Sequence, residues 1–145
     1  MRANRAEDWR VGMCAFAARF LLRLQTMDQL HGFMELEVWQ RSMDLVDLTF
    51  ACTKSLPRTE FDLRRQMCRA VTSMPTNVAE GYRRHRRTAY KNHVSIALGS
   101  NAELFTEFEI AFRNGLLMRE QCRGATHLCD RVGAMLYRLH QSLDP

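Results

Sequence analysis

At 145 residues the chain is long enough for one domain with its own hydrophobic core and too short for two of ordinary size. Apolar residues at 46% and charged residues at 26% exclude a disordered chain, and only 7 Gly and 3 Pro leave long stretches free of helix breakers. The formal net charge of +5 is compatible with an anionic partner without requiring one, and 5 scattered Cys suit a reducing compartment, so the cytoplasm is expected.

The first 33 residues stand apart. Residues 11–24, VGMCAFAARFLLRL, are apolar but interrupted by Arg19 and Arg23. The run is too short and too charged to span a membrane, and it lacks a clean signal-peptide core and cleavage site. Two readings stay open: a short amphipathic helix that needs a partner, or a start assigned too early, with Met34 the true first residue. Residues 1–33 are therefore an N-terminal extension, disordered or mis-assigned, and residues 34–145 form the expected domain.

Regular periodicity begins at Leu36. Over 36–55, Trp39, Met43, Val46 and Phe50 recur at helical spacing, and Leu45, Leu48 and Cys52 widen that face. Ser55-Leu56-Pro57 ends the segment, because a residue before proline avoids the helical region. Thr59 is placed to cap a second helix over 60–83, with Leu63, Met67, Val71, Met74, Val78 and Tyr82 inward. Pro75 predicts a kink there, or a break and a restart capped by Ser73, while Gly81 suits the helix exit. A third helix over 87–114 carries the seam Tyr90, Val94, Ala97, Asn101, Leu104, Phe108 and Ala111, with Leu98, Phe105 and Phe112 as a second stripe. Small residues Ala97, Gly99, Ser100 and Ala102 would let another helix approach it, and Asn114-Gly115 is its stop. A fourth helix over 117–143 has Met118, Cys122, Ala125, Cys129, Val132, Leu136, Leu139 and Leu143 on one face. Four amphipathic segments joined by short links predict an all-α fold: an antiparallel up-down-up-down four-helix bundle with a Pro-kinked second helix.

Enzymatic and metal sites find little support. A di-metal bundle needs inward carboxylates with Glu-x-x-His pairs, and the sequence has none. Glu103 and Glu107 are expected as an exposed acidic pair at the edge of the core. Cys122, His127 and Cys129 lack zinc-finger spacing and a fourth ligand, so the two cysteines read as core residues. No nucleophile turn or phosphate-cradling glycine loop occurs. The expectation is a non-enzymatic protein with no cofactor, no metal and no catalytic residue.

The strongest exposed feature is basic. Arg83, Arg84, His85, Arg86 and Arg87 join the second and third helices, Lys91 follows one turn on, and Tyr82 and Tyr90 bracket the run as candidate stacking residues. Arginine forks suit phosphate, so RNA or DNA is the expected partner. The competing reading has these arginines pairing with acids on a neighbouring helix or another subunit. Arg64, Arg65 and Arg69 form a second cluster that reads as solvent-facing. Leu45, Leu48, Leu98, Phe105 and Phe112 lie off the main seams and suggest an interface with another copy.

Three stretches carry a family resemblance over about residues 35–142. Leu36-Glu37-Val38-Trp39-Gln40 resembles the "LEVW" opening of bacterial four-helix-bundle proteins encoded in intervening sequences of 23S ribosomal RNA genes. Ser73-Met74-Pro75-Thr76-Asn77-Val78-Ala79-Glu80-Gly81 is similar to that family's "S-x-P-x-N-I-A-E-G", with Val78 for the usual Ile. Ala97-Leu98-Gly99-Ser100-Asn101-Ala102-Glu103-Leu104 is similar to its "A-x-G-S-x-x-E-L". The resemblance implies a ring-shaped homo-oligomer, a pentamer. It also implies kinship with the Avd accessory proteins of diversity-generating retroelements, whose basic surface engages a reverse transcriptase and nucleic acid. By the same resemblance Asn77, Glu80 and Gly81 are structural, serving capping, inter-helix hydrogen bonding and helix exit.

Overall fold

The computed structural model describes residues 31–84 and 86–144, and the readings made of residues 1–30 lie outside these described residues. The chain divides into two units, Met1–Gly32 and Phe33–Pro145, and four α-helices make up the second. After a 3-10 turn at Gly32–Glu35 come α1 (Glu37–Thr53), α2 (Phe61–Arg83), α3 (Arg87–Arg113) and α4 (Arg119–Ser142). Each helix packs on its neighbour in the chain and α4 returns to α1, closing a four-helix bundle. Across α2 and α3 the pairs Arg69–Glu103, Ser73–Ser100 and Asn77–His93 rise along one helix as they fall along the other.

The core is built on the side chains that the periodicity singles out on α2, α3 and α4. Met67, Val71, Met74 and Val78 meet Val94, Ala97, Leu104, Phe108 and Ala111, with Cys122, Ala125, Cys129, Val132 and Leu136 completing it. Cys122 and Cys129 are core residues as expected, and burial pushes the Cys129 thiol up to about 12. Met118 departs from its seam: it precedes α4 and is exposed.

On α1 the inner stripe differs from the expected one. Val38, Ser42, Leu45, Thr49 and Thr53 are buried, whereas Met43 and Phe50 face outward. Hydropathy favours Met and Phe for the core, but Ser42 and Thr53 enter it by bonding their own helix, while the Thr49 hydroxyl is buried with no partner among the described residues. Ser42 Oγ donates to the Val38 carbonyl at 2.7 Å and Thr53 Oγ1 to that of Phe50 at 3.0 Å, which removes most of the desolvation cost. Leu45, expected to widen that face off the main seam as a candidate for an interface, is fully buried in the core. Trp39 packs half-buried against the core and meets Phe33 edge-on, with ring centroids 5.5 Å apart.

Helix ends show further differences. Thr59 does not cap α2: Glu60 holds the cap position, and no side-chain bond closes it. The helix then runs unbroken through Pro75, so there is no restart for Ser73 to cap. The proline is buried, and Ser73 Oγ instead accepts a bond from Ser100 Oγ on α3 at 2.8 Å. At the end of α3 the Asn114-Gly115 stop forms as expected. Gly115 adopts φ +66°, and the Leu116 N–H turns back to the Ala111 carbonyl at 2.9 Å.

Candidate nucleic-acid interface

The connection from α2 to α3 is very short. Arg84 is the C-terminal cap of α2 and Arg86 the N-terminal cap of α3, so only His85, outside the described residues, separates the caps. Gly81 makes the tight approach of the two helices possible. It is buried, and a Cβ on it would lie 2.6 Å from Tyr90 Cδ2 and 2.8 Å from His93 Cβ. Gly81 is thus a close-packing residue inside α2 and not the helix exit, which falls at Arg83.

Tyr90 consequently belongs to the packing. Its ring lies half-buried over Gly81 and meets Tyr82 edge-on, with centroids 6.2 Å apart. The Tyr90 hydroxyl is buried without a partner, and burial, helped by Tyr82, pushes it up to about 12. Of the two candidate stacking rings, Tyr82 is the accessible one, 39% exposed.

The cations differ in exposure and in what they engage. Arg83 and Arg86 are exposed. Arg84 is exposed as well but pairs with Glu80 one turn back at 2.6 Å, and that bond holds the Glu80 carboxyl below the usual carboxylate range. Arg87 donates to the Ser142 carbonyl and, at 2.8 Å, to the Asp144 carbonyl, beyond the last turn of α4. Lys91 forms an ion pair with the Asp144 carboxylate, whose pKa is lowered first by that hydrogen bond. The partner that sequence reasoning missed is Asp144, more than fifty positions away, and no local pattern signals such a contact.

Behind this edge a polar row lines the α2–α3 seam. Asn77 Nδ2 donates to the Ser73 carbonyl at 2.8 Å and Oγ at 3.1 Å, leaving Oδ1 to accept from His93 Nδ1 at 3.1 Å. The other ring nitrogen of His93 faces Glu80 at 3.7 Å, beyond hydrogen-bond reach, so of the two residues Asn77 makes the inter-helix hydrogen bond and Glu80 does not. Further along, Glu103 meets Arg69 at 3.6 Å. Glu107, expected at an exposed edge, is only 4% exposed, and neither of its carboxylate oxygens has a partner. Burial foremost, then the charge of Glu103, raises it to about 7, against a smaller opposing effect of Arg69. Position 107 lies one heptad beyond Ser100, and that repeat carries it onto the inner side of α3.

Two other sites correct the sequence reading. Arg64 does not face solvent: its Nε and Nη2 donate to the carbonyls of Thr53 and Leu56 at 3.1 and 2.8 Å, bracing the α1–α2 connection. Gly99 is exposed, and among the described residues a Cβ added to it would meet nothing within 4 Å, so no other described helix approaches it. Among the off-seam apolar residues, Leu98 and Phe112 pack on the core, while Leu48 and Phe105 stay exposed together with Ile96 and Ile110. Among the described residues, no three His, Cys, Asp or Glu side chains group to hold a metal, and no helix is long and apolar enough to cross a membrane.

The four-helix fold agrees with what comparison with known proteins finds. The family model of the 23S rRNA-intervening sequence protein matches residues 34–138, and the chain belongs to that family. Among solved structures it is similar to a protein of unknown function from the S23 ribosomal protein family of Bacteroides thetaiotaomicron VPI-5482. The TM-score is 0.67 and the identity 23%, over 71% of this chain and 97% of that one, a likeness of fold. No curated protein matches the chain.

Proposed function

We propose that the protein is a non-enzymatic, cytoplasmic, homo-oligomeric adaptor that binds RNA or DNA through the basic edge where α2 meets α3. The observation that carries this reading is the crowding of Arg83, Arg84, Arg86, Arg87 and Lys91 around a connection with a single residue between its two caps. Arg84 engages an exposed carboxylate, and such surface pairs are weak enough for a phosphate to displace. Tyr82 offers one ring beside the cluster for stacking. Self-association, a pentameric ring by family resemblance, is supported by the outward Met43, Leu48, Phe50, Ile96, Phe105 and Ile110. By the same resemblance a reverse transcriptase or another protein is a candidate partner.

A second reading rests on the ion pairs already present: the protein is a protein-only scaffold whose arginines serve subunit contacts. The test is the double charge reversal R84E/R86E, read by RNA affinity at low and moderate salt and by molar mass from light scattering. On the first reading affinity falls roughly tenfold or more and loses much of its salt dependence, while mass is unchanged. Unchanged affinity overturns that reading, and a loss of mass without an effect on RNA supports the scaffold.

A further inference from the structure

We infer that the segment following α4 masks part of the basic edge, with the Asp144 carboxylate holding the Lys91 ammonium group that a nucleic-acid phosphate would otherwise engage. This inference rests on the nucleic-acid reading above and adds a form of regulation to it.

Arg87 and Lys91 are four residues apart on α3, so both present their charge to the same side of the helix. That side is covered by the last residue of α4 and those just past it. Arg87 reaches two backbone carbonyls there, Ser142 and Asp144, and Lys91 pairs with the Asp144 side chain. The two contacts differ in kind. A cation on the last carbonyls of a helix satisfies groups that have no partner inside the helix, so the Arg87 contact caps α4 and is part of the fold. The Lys91 contact involves only a side chain, lies at the surface, and leaves the helices in place when it opens. A carboxylate at that point presents to Lys91 the charge and oxygen acceptors that a phosphate would bring. Asp144 is half-exposed in the pair, so a more highly charged polyanion can compete for the same ammonium group.

The mask therefore acts as an internal competitor: it weakens binding at low ligand density and yields to a polyanion making several contacts at once. Any change that withdraws Asp144 from α3, such as docking of another protein on the end of α4, would raise affinity for nucleic acid.

The experiment measures binding of a short fluorescein-labelled RNA hairpin by anisotropy at low salt, on the full chain and its variants. Asp144→Ala should raise affinity about two- to fivefold, the range expected for releasing one exposed ion pair. Asp62→Ala, which makes the same change in net charge at the far end of α2 and also frees an arginine, should leave affinity unchanged. In a Lys91→Ala background, Asp144→Ala should have no further effect. Equal affinity of Asp144→Ala and the parent overturns the mask while leaving the nucleic-acid reading intact. An equal gain from Asp62→Ala also overturns it, since net charge would then suffice. If the parent protein does not bind the hairpin and Asp144→Ala does not either, the nucleic-acid reading fails and the mask with it.

Discussion

The amide of Asn101 on α3 fills the space that a side chain at position 133 on α4 would need. A Cβ on Gly133 would lie 2.5 Å from Asn101 Oδ1, and Asn101 Nδ2 donates to the Cys129 carbonyl at 3.0 Å. One polar residue within an apolar seam thus holds α3 against α4 at a fixed register, and the missing Cβ makes the room.

Three glycines within helices should therefore respond differently to alanine. Gly133→Ala and Gly81→Ala force a neighbour to move and should lower unfolding stability by about 1–3 kcal/mol each, read from urea midpoints. Gly99→Ala meets nothing among the described residues and should raise the stability of the bundle by about 0.5–1 kcal/mol through helix propensity.

Glu107 should make stability fall as pH rises toward neutral. Its pKa is raised in the folded chain to about 7 from an ordinary value of 4.5, so the folded state holds the proton more tightly than the unfolded one. That contribution is fully present below the unfolded value and is lost as pH climbs through the folded one. Glu107→Gln cannot ionise, so it should remove this dependence and be the more stable form at pH 8 by on the order of 1–3 kcal/mol. Urea unfolding at pH 5 and pH 8 checks it, and a parallel loss in both proteins would contradict the assignment.

Adjacent arginines should separate on truncation. Arg64→Ala takes the side-chain donor from the Leu56 carbonyl and leaves the Thr53 carbonyl with the Leu56 N–H alone, and should cost about 1–3 kcal/mol. Arg65→Ala removes one exposed pair with Asp62 and should cost about 0.5 kcal/mol or less. Thermal unfolding of the two variants side by side is sufficient.

Cysteine labelling should follow burial. Cys122 and Cys129 are buried, and burial pushes both thiols up, with Cys52 adding to the effect at Cys122. Cys52 and Cys68 are half-buried. Of these four cysteines, iodoacetamide followed by mass spectrometry should modify Cys52 and Cys68 first, with Cys122 and Cys129 modified only when urea unfolds the chain.

Much of this architecture is legible in residue order because helix formation is local. The seams of α2, α3 and α4 repeat every three or four residues, and the Asn114-Gly115 stop depends only on its own backbone. The family motifs are legible as well, since they read in chain order within residues 34–138. On α1 the same logic misleads, because a scale that ranks Met43 and Phe50 above Ser42 and Thr53 takes no account of hydroxyls bonding to their own helix. For the candidate interface the sequence supplies the basic run but not the fate of each cation.

By itself, then, the sequence determined that four helices form, where three of them turn their apolar faces, and that positive charge collects between α2 and α3. Only the tertiary structure decided that Gly81 and Gly133 are points of close approach and Gly99 is not, that Glu107 is buried, and that Asp144 meets Lys91. The periodicity of a helix is set within one or two turns, whereas these contacts join residues tens of positions apart, and their energies exist only once the helices have packed.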